Sequence, residues 1–303
     1  MPMANFRLSF ALPKRQQVAL VDASGISILN EYIPQKDTSI IDIEHMNVFA
    51  LLRMIVAGKK SLFDYIIAYI KVFKPQFVFT FLDNNVDFYK LAAIFPKVKF
   101  IAIQNGHRAN YANQSGFGFF DLLKNESAKN KLSAHAICVL GTTAGNQYTQ
   151  YIQAKPVVTG SLKNNLIGNQ IKPTERFDIV YVSQHAPFEI PNSEVKFFFG
   201  NKSITAEEFY AIEQKIVRFL ADHSKRTNQS IAVLGKRTDS SPYERDFFSS
   251  AASPNTVRFI PRTSETSTYE FCNSASLIVT TDSTIGYEFL ARSNRVVFLS
   301  GRI

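Results

Sequence analysis

The chain has 303 residues, 46% hydrophobic and 19% charged, a balance that fills one large or two medium cores and excludes a disordered chain. Lysine and arginine number 34 against 25 aspartate and glutamate, a net charge of +9, so an anionic partner or surface is expected. Two cysteines, Cys138 and Cys272, exclude a disulfide framework and predict a reducing compartment, and no CxxC or His-rich spacing offers a zinc site.

Near the start, the apolar run Val18 to Val21 stops at Asp22. Neither a signal peptide nor the ~18–20 apolar residues of a membrane span can be read, and the expectation is a soluble, cytoplasmic protein, held at most to the inner face of the membrane. Leu8 to Leu12 and Val18 to Asp22 read as strands, and Asn47 to Val56 and Leu62 to Phe73 as amphipathic helices. Phe77 to Leu82 is a continuous β-prone run ending at Asp83-Asn84-Asn85, with a helical pattern following to Phe95. Further strands are predicted at Lys99 to Ile103, Ala136 to Leu140 and Pro156 to Thr159, with a helix over about 143–153. Strands that are apolar throughout and alternate with helices predict a parallel sheet covered on both faces.

Between Ser161 and Phe177 the composition turns to Lys, Asn, Gly and Pro, which reads as a linker. The pattern restarts with a strand at Asp178 to Val182, ending at Ser183-Gln184-His185. A helix over about 205–223 follows, with Phe209, Ile212, Ile216, Phe219 and Leu220 on one stripe, then strands at 231–234, 256–260, 277–280 and 296–299 and a helix at 284–292. The predicted architecture is α/β: two doubly wound Rossmann-like domains, 1–165 and 176–303, facing a central cleft where open sheets of this kind bind ligands. The chain stops at Ile303, just after a strand, with no covering helix.

The densest cluster of polar signals is Thr280-Thr281-Asp282-Ser283-Thr284-Ile285-Gly286-Tyr287-Glu288, a strand end turning into a helix start. Amides and hydroxyls at a helix N-terminus form a phosphate cradle, and Glu288, one turn in, can reach a ribose. The competing reading makes Asp282 or Ser283 an N-cap. Lys236 and Arg237, after the strand at 231–234, would neutralise a departing phosphate, with Arg262 in a weaker version of the same role; a solvated loop pair is the plainer alternative. His107, in Gln104-Asn105-Gly106-His107-Arg108, is the candidate base, since an imidazole titrates near neutrality. Asp83 competes with it, or caps the helix that follows. His185 reads as a binding or positioning group.

Ser283-Thr284, Gly286, Glu288-Phe289-Leu290-Ala291 and Arg295-Val296-Val297-Phe298 resemble the donor-binding segment of two-domain GT-B glycosyltransferases. With Gln104 to Arg108, Val158-Thr159-Gly160-Ser161 and Thr281 to Thr284, the chain resembles bacterial lipopolysaccharide and O-antigen biosynthesis proteins over about residues 75–300. More distantly it is similar to CDP-glycerol glycerophosphotransferases and capsule Kdo transferases. The resemblance implies a metal-independent transferase without a cofactor, moving a sugar from a nucleotide-sugar donor to a glycan or lipid-linked acceptor. Donor-side residues would be Asp282, Ser283, Thr284, Glu288, Lys236, Arg237, Gly160 and Ser161. His107 or Asp83 would serve the acceptor, with Gln104, Asn105, Arg108, His185 and Arg262 positioning. It also implies that the usual C-terminal helix, which returns to the first domain, is missing from this sequence. No Walker A, NAD fingerprint, GxSxG or DxD sequence is present. The positive charge is expected to favour peripheral association with anionic membrane, with no specific nucleic acid as partner. The alternatives are polyol-phosphate transfer from a CDP-alcohol, a non-catalytic scaffold, and a nucleic-acid-binding protein.

Overall fold

The computed structural model describes residues 7–12, 17–42, 44–108, 118–167, 175–185, 195–199, 202–237, 242–264 and 266–299. The chain divides into two compact units, Met1–Arg108 with Phe119–Lys163, and Ala109–Gly118 with Asn164–Ile303.

In unit 1, β1 (Arg7–Ser9) and β4 (His45–Asn47) form a small parallel pair. The main sheet takes β2 (Val18–Val21), β3 (Thr38–Ile41), β5 (Phe77–Thr80), β6 (Lys99–Ile103), β7 (Ser133–Val139) and β8 (Gln153–Val158), all parallel, in the order β3-β2-β5-β6-β7-β8. Its helices are α1 (Ile26–Asn30), α2 (Val48–Val56), α3 (Leu62–Phe73), α4 (Val86–Ile94), α5 (Phe119–Ser127) and α6 (Thr142–Thr149). Every residue of β2 is buried, as a strand covered on both faces requires. Helix α3 begins with a reciprocal cap in which the Ser61 hydroxyl accepts from the Asp64 amide at 3.1 Å while the Asp64 carboxylate receives the Ser61 amide. Gly25, at φ 77°, lets the loop after β2 lie on Phe81, whose ring would be 2.3 Å from any Cβ there.

In unit 2, β9 (Ile179–Val182), β12 (Ile231–Leu234), β13 (Arg258–Ile260), β14 (Leu277–Thr280) and β15 (Val296–Phe298) form a parallel sheet in the order β13-β12-β9-β14-β15. An antiparallel pair, β10 (Val195–Phe199) with β11 (Lys202–Thr205), leads into α8 (Ala206–Thr227), and α9 (Pro242–Ser249), α10 (Ser267–Ser274) and α11 (Thr284–Ala291) follow. Helix α8 starts on a Thr205–Glu208 capping box and ends on Asn228 at φ 57°. The two α/β sheets flanked by helices are those expected from the alternating pattern.

Several details differ from the sequence reading. The stretch read as linker contains a helix, α7 (Leu162–Ile167), because Ile167 is buried against Phe177 and the core beneath β9. The helix expected to reach residue 153 ends at Thr149, since the Gln153 amide is taken by the Leu132 carbonyl and begins β8. Phe219, placed on the buried stripe of α8, is 58% exposed, and Glu213 takes a place on the inner face instead. Short β3, β4, β10 and β11 carried no period long enough to read.

Candidate functional site

A doubly wound sheet opens a crevice where neighbouring strands send their connections to opposite faces, at the carboxyl ends of those strands. In unit 2 this point lies between β9 and β14. Ser183-Gln184-His185 leave one strand there and Thr281-Asp282-Ser283 the other. Thr280, fully buried, ties the two ends together: its hydroxyl donates to the Val182 carbonyl at 3.2 Å and accepts from the Ser283 amide at 3.2 Å. Unit 1 repeats the device between β2 and β5, where the Thr80 hydroxyl donates to the Val21 carbonyl at 3.4 Å and accepts from the Leu82 amide at 3.0 Å.

At the start of α11, Ser283 stands in the N-cap position, yet its side chain makes no capping hydrogen bond. The hydroxyl of Thr281, 5% exposed, has no hydrogen-bond partner among the described residues. A buried polar atom left unpaired is uncommon and costs about 1–3 kcal/mol. Gly286 fits α11 against the sheet: a Cβ there would lie 2.8 Å from Thr280 Cγ2 and 2.9 Å from the Phe298 ring. Gly286→Val is therefore expected to destabilise the protein by about 1–3 kcal/mol in urea denaturation; an unchanged midpoint would contradict that packing role. Glu288 is 7% exposed on the inner face of α11 and accepts from the Tyr269 hydroxyl at 2.6 Å. Burial, with the Glu288 charge beside it, pushes the Tyr269 phenol far above its ordinary pKa.

The other unit 2 candidates follow the same sheet edge, with Lys236 and Arg237 after β12 and Arg262 after β13. Lys236 is exposed, and the Arg262 Nε donates to the Ser264 carbonyl at 3.0 Å. His185 is 4% exposed, with its ring stacked on Phe247 at 3.8 Å between centroids. Beneath these loops lie two carboxylates that the sequence reading missed. Glu213 Oε2 accepts the Gln184 amide at 3.1 Å, and Glu244 Oε1 accepts the Lys236 amide at 2.9 Å and the Ser183 hydroxyl at 3.1 Å. Burial raises both, Glu213 to about 7, and their mutual repulsion adds to the Glu213 shift. The signal available in sequence was an acid on the apolar face of a helix, four residues after Phe209 and four before Val217.

In unit 1, three predicted residues, Asp83, Asn105 and Arg108, meet in one network, with Gln104 beside it. Asp83 is fully buried and forms an ion pair with Arg108, whose Nε donates to Oδ2 at 2.8 Å and whose Nη2 donates to Oδ1. The Tyr148 hydroxyl donates to Oδ2 and the Asn105 amide to Oδ1 at 3.2 Å. Arg108 also donates to Asn105 Oδ1 at 2.7 Å. Gln104 is engaged at both ends, donating to the Gly106 carbonyl at 2.9 Å and accepting from the Leu140 amide at 2.9 Å. Burial, reinforced by the Asp83 charge, holds the Tyr148 and Tyr89 phenols well above their ordinary values, so both remain donors. Asp83 thus fixes the 104–108 loop, and the same engagement leaves its carboxylate poorly placed to receive a substrate proton. His107 is exposed on that loop, as is Asn105, while Gln104 is buried. Gly160, at φ 66°, and Ser161 belong to unit 1, after the edge strand β8.

Among the described residues no group of three or more His, Cys, Asp or Glu could hold a metal ion, and no helix is long and apolar enough to cross a membrane. A protein-family model described as "putative O-antigen biosynthesis protein" matches residues 101–303. A comparison with curated proteins gives no match. Among solved structures, the UDP-GlcNAc 2-epimerase of Neisseria meningitidis bound to UDP-GlcNAc is similar at 12% identity and a TM-score of 0.54, over 94% of this chain and 82% of that one. A "putative UDP-N-acetylglucosamine 2-epimerase" of Listeria monocytogenes reaches 0.56 at 11% identity, over 97% and 80%. S. aureus MnaA with UDP reaches 0.51 at 12%, over 94% and 79%. The fold is GT-B-like, as the resemblance implied.

Proposed function

We propose that this chain, which belongs to the "putative O-antigen biosynthesis protein" family, is a glycosyltransferase of surface-polysaccharide assembly that holds a nucleotide sugar in unit 2 and passes the sugar to a glycan or lipid-linked acceptor. The observation that carries the reading is the polar edge at the β9/β14 switch point, where the Ser283 side chain is not spent on capping and the buried Thr281 hydroxyl has no partner among the described residues. Support also comes from neighbours of the same fold whose structures hold UDP or UDP-GlcNAc.

In this mechanism the α11 amides with Ser283 and Thr284 receive the donor phosphates, Asp282 and Glu288 orient the nucleoside, and Lys236 and Arg237 stabilise negative charge on the departing phosphate. His185 and Arg262 position the donor. His107 takes the acceptor proton, an effect of about 10²- to 10⁴-fold. Asp83, Gln104, Asn105 and Arg108 set the His107 backbone. No cofactor is required.

The test is a thermal-shift panel of CMP, CDP, UDP, GDP and their sugars. One base is expected to raise Tm by several degrees at roughly a hundred times Kd, equivalent to about 2.7 kcal/mol. The shift is expected to be lost in Glu288→Gln, which keeps an acceptor for Tyr269. No shift with any nucleotide would overturn the reading. A second reading, isomerisation of the bound nucleotide sugar, is favoured by the fold shared with the 2-epimerases. Turnover without an acceptor, followed by proton NMR of the sugar, separates the two.

A further inference from the structure

Unit 1 carries an apolar surface that its own core does not use. Along α2, Ala50 and Met54 face inward, while Leu52, Ile55 and Val56 are 52%, 56% and 88% exposed. The spacing i, i+3, i+4 puts these three on one stripe. The helix ends in the turn Ala57-Gly58-Lys59-Lys60, all exposed, and α3 opens on Leu62, 46% exposed. At the other end of α2, its N-cap Asn47 holds the Ala11 carbonyl through Nδ2 at 3.0 Å, and the segment so anchored exposes Phe10 by 71% and Leu12 by 69%. Single exposed apolar residues are ordinary, but this many on two joined elements mark an interaction surface.

The surrounding charges identify the partner. Arg7, Arg53, Lys59 and Lys60 are exposed on these elements. Against them stand Glu44, exposed, Asp42, half-buried, and Asp64, which accepts from the Ser61 amide and hydroxyl and keeps its charge beside Lys59, so cations remain in excess on these elements. A two-fold dimer through this face would bring Arg53, Lys59 and Lys60 of one copy toward those of the other, at a cost in repulsion. An apolar helix face ending in a lysine turn suits a surface that is anionic outside and apolar within.

We propose that the α2 stripe Leu52-Ile55-Val56, with the Lys59-Lys60 turn, docks unit 1 on an anionic lipid bilayer, the apolar side chains entering the headgroup boundary and the lysines contacting lipid phosphates. The inference stands independently of the reaction performed at either switch point.

The test is co-sedimentation of the full chain with vesicles of phosphatidylglycerol and phosphatidylcholine, and with phosphatidylcholine alone, alongside the variants Ile55→Ser/Val56→Ser and Lys59→Glu/Lys60→Glu. All four positions are exposed, so thermal unfolding should be unchanged and serves as the folding control. The chain is expected to bind the anionic vesicles and not the neutral ones, and each double variant is expected to lower partitioning by about tenfold or more. Three outcomes overturn the proposal: no binding to anionic vesicles at low salt, binding that survives either pair of substitutions, or a dimer in light scattering that Ile55→Ser/Val56→Ser dissolves, which would assign the face to a second copy.

Discussion

Replacing Asp83 by alanine is expected to destabilise the protein by about 3–5 kcal/mol, among the largest effects of any single substitution in unit 1. The carboxylate is wholly buried and receives Arg108, Tyr148 and the Asn105 amide together. Alanine would leave the Arg108 charge, 18% exposed, without its counter-ion and strand the Tyr148 hydroxyl in the core. The penalty comes from these orphans more than from the lost attraction. The double variant Asp83→Ala/Arg108→Leu should therefore recover part of the stability, a non-additivity that urea denaturation of the two single variants and the double measures directly. A loss below about 1 kcal/mol in Asp83→Ala would contradict the network and reopen a direct chemical role for Asp83.

The second large effect concerns pH. Glu213 titrates near 4.5 in the unfolded chain and at about 7 in the folded protein, raised by burial and by Glu244. The folded state therefore holds a proton that the unfolded state has released across this interval. Stability from this group is complete below about pH 4.5 and declines as pH rises through 7, by up to about 3 kcal/mol. The raised Glu244 acts in the same direction. Glu213→Gln, neutral at every pH and still able to accept the Gln184 amide, is expected to flatten the decline and to be more stable than the parent protein at pH 8. Urea midpoints measured from pH 4.5 to 8 check this; a parent stability that rises over that range while the variant follows it would contradict the assignment.

The fold was legible where the apolar runs were long. β2, β9 and β12 are buried along their whole length, and that continuity distinguishes a parallel sheet from an antiparallel one with a wet face. It was illegible where an element depends on distant partners: β4 is three residues with no period of its own, and α7 exists because Ile167 finds Phe177. The candidate site was legible as positions at strand ends, since polar residues interrupt apolar runs there. Its internal wiring was not. Nothing local told that Asp83 would meet Arg108 and Tyr148, 25 and 65 residues away, or that Glu213 would lie under Gln184. Thr80 and Thr280 were the nearest to a local signal, each a β-branched hydroxyl closing its strand at the switch point.

Whether a nucleotide occupies the β9/β14 crevice is answered most directly by hydrogen exchange on the full chain, with and without saturating amounts of the nucleotide giving the largest thermal shift. Slower exchange is predicted in peptides covering 181–185 and 280–288, with α2 and α3 unchanged. Protection confined to other segments, or none under saturating nucleotide, would contradict the account.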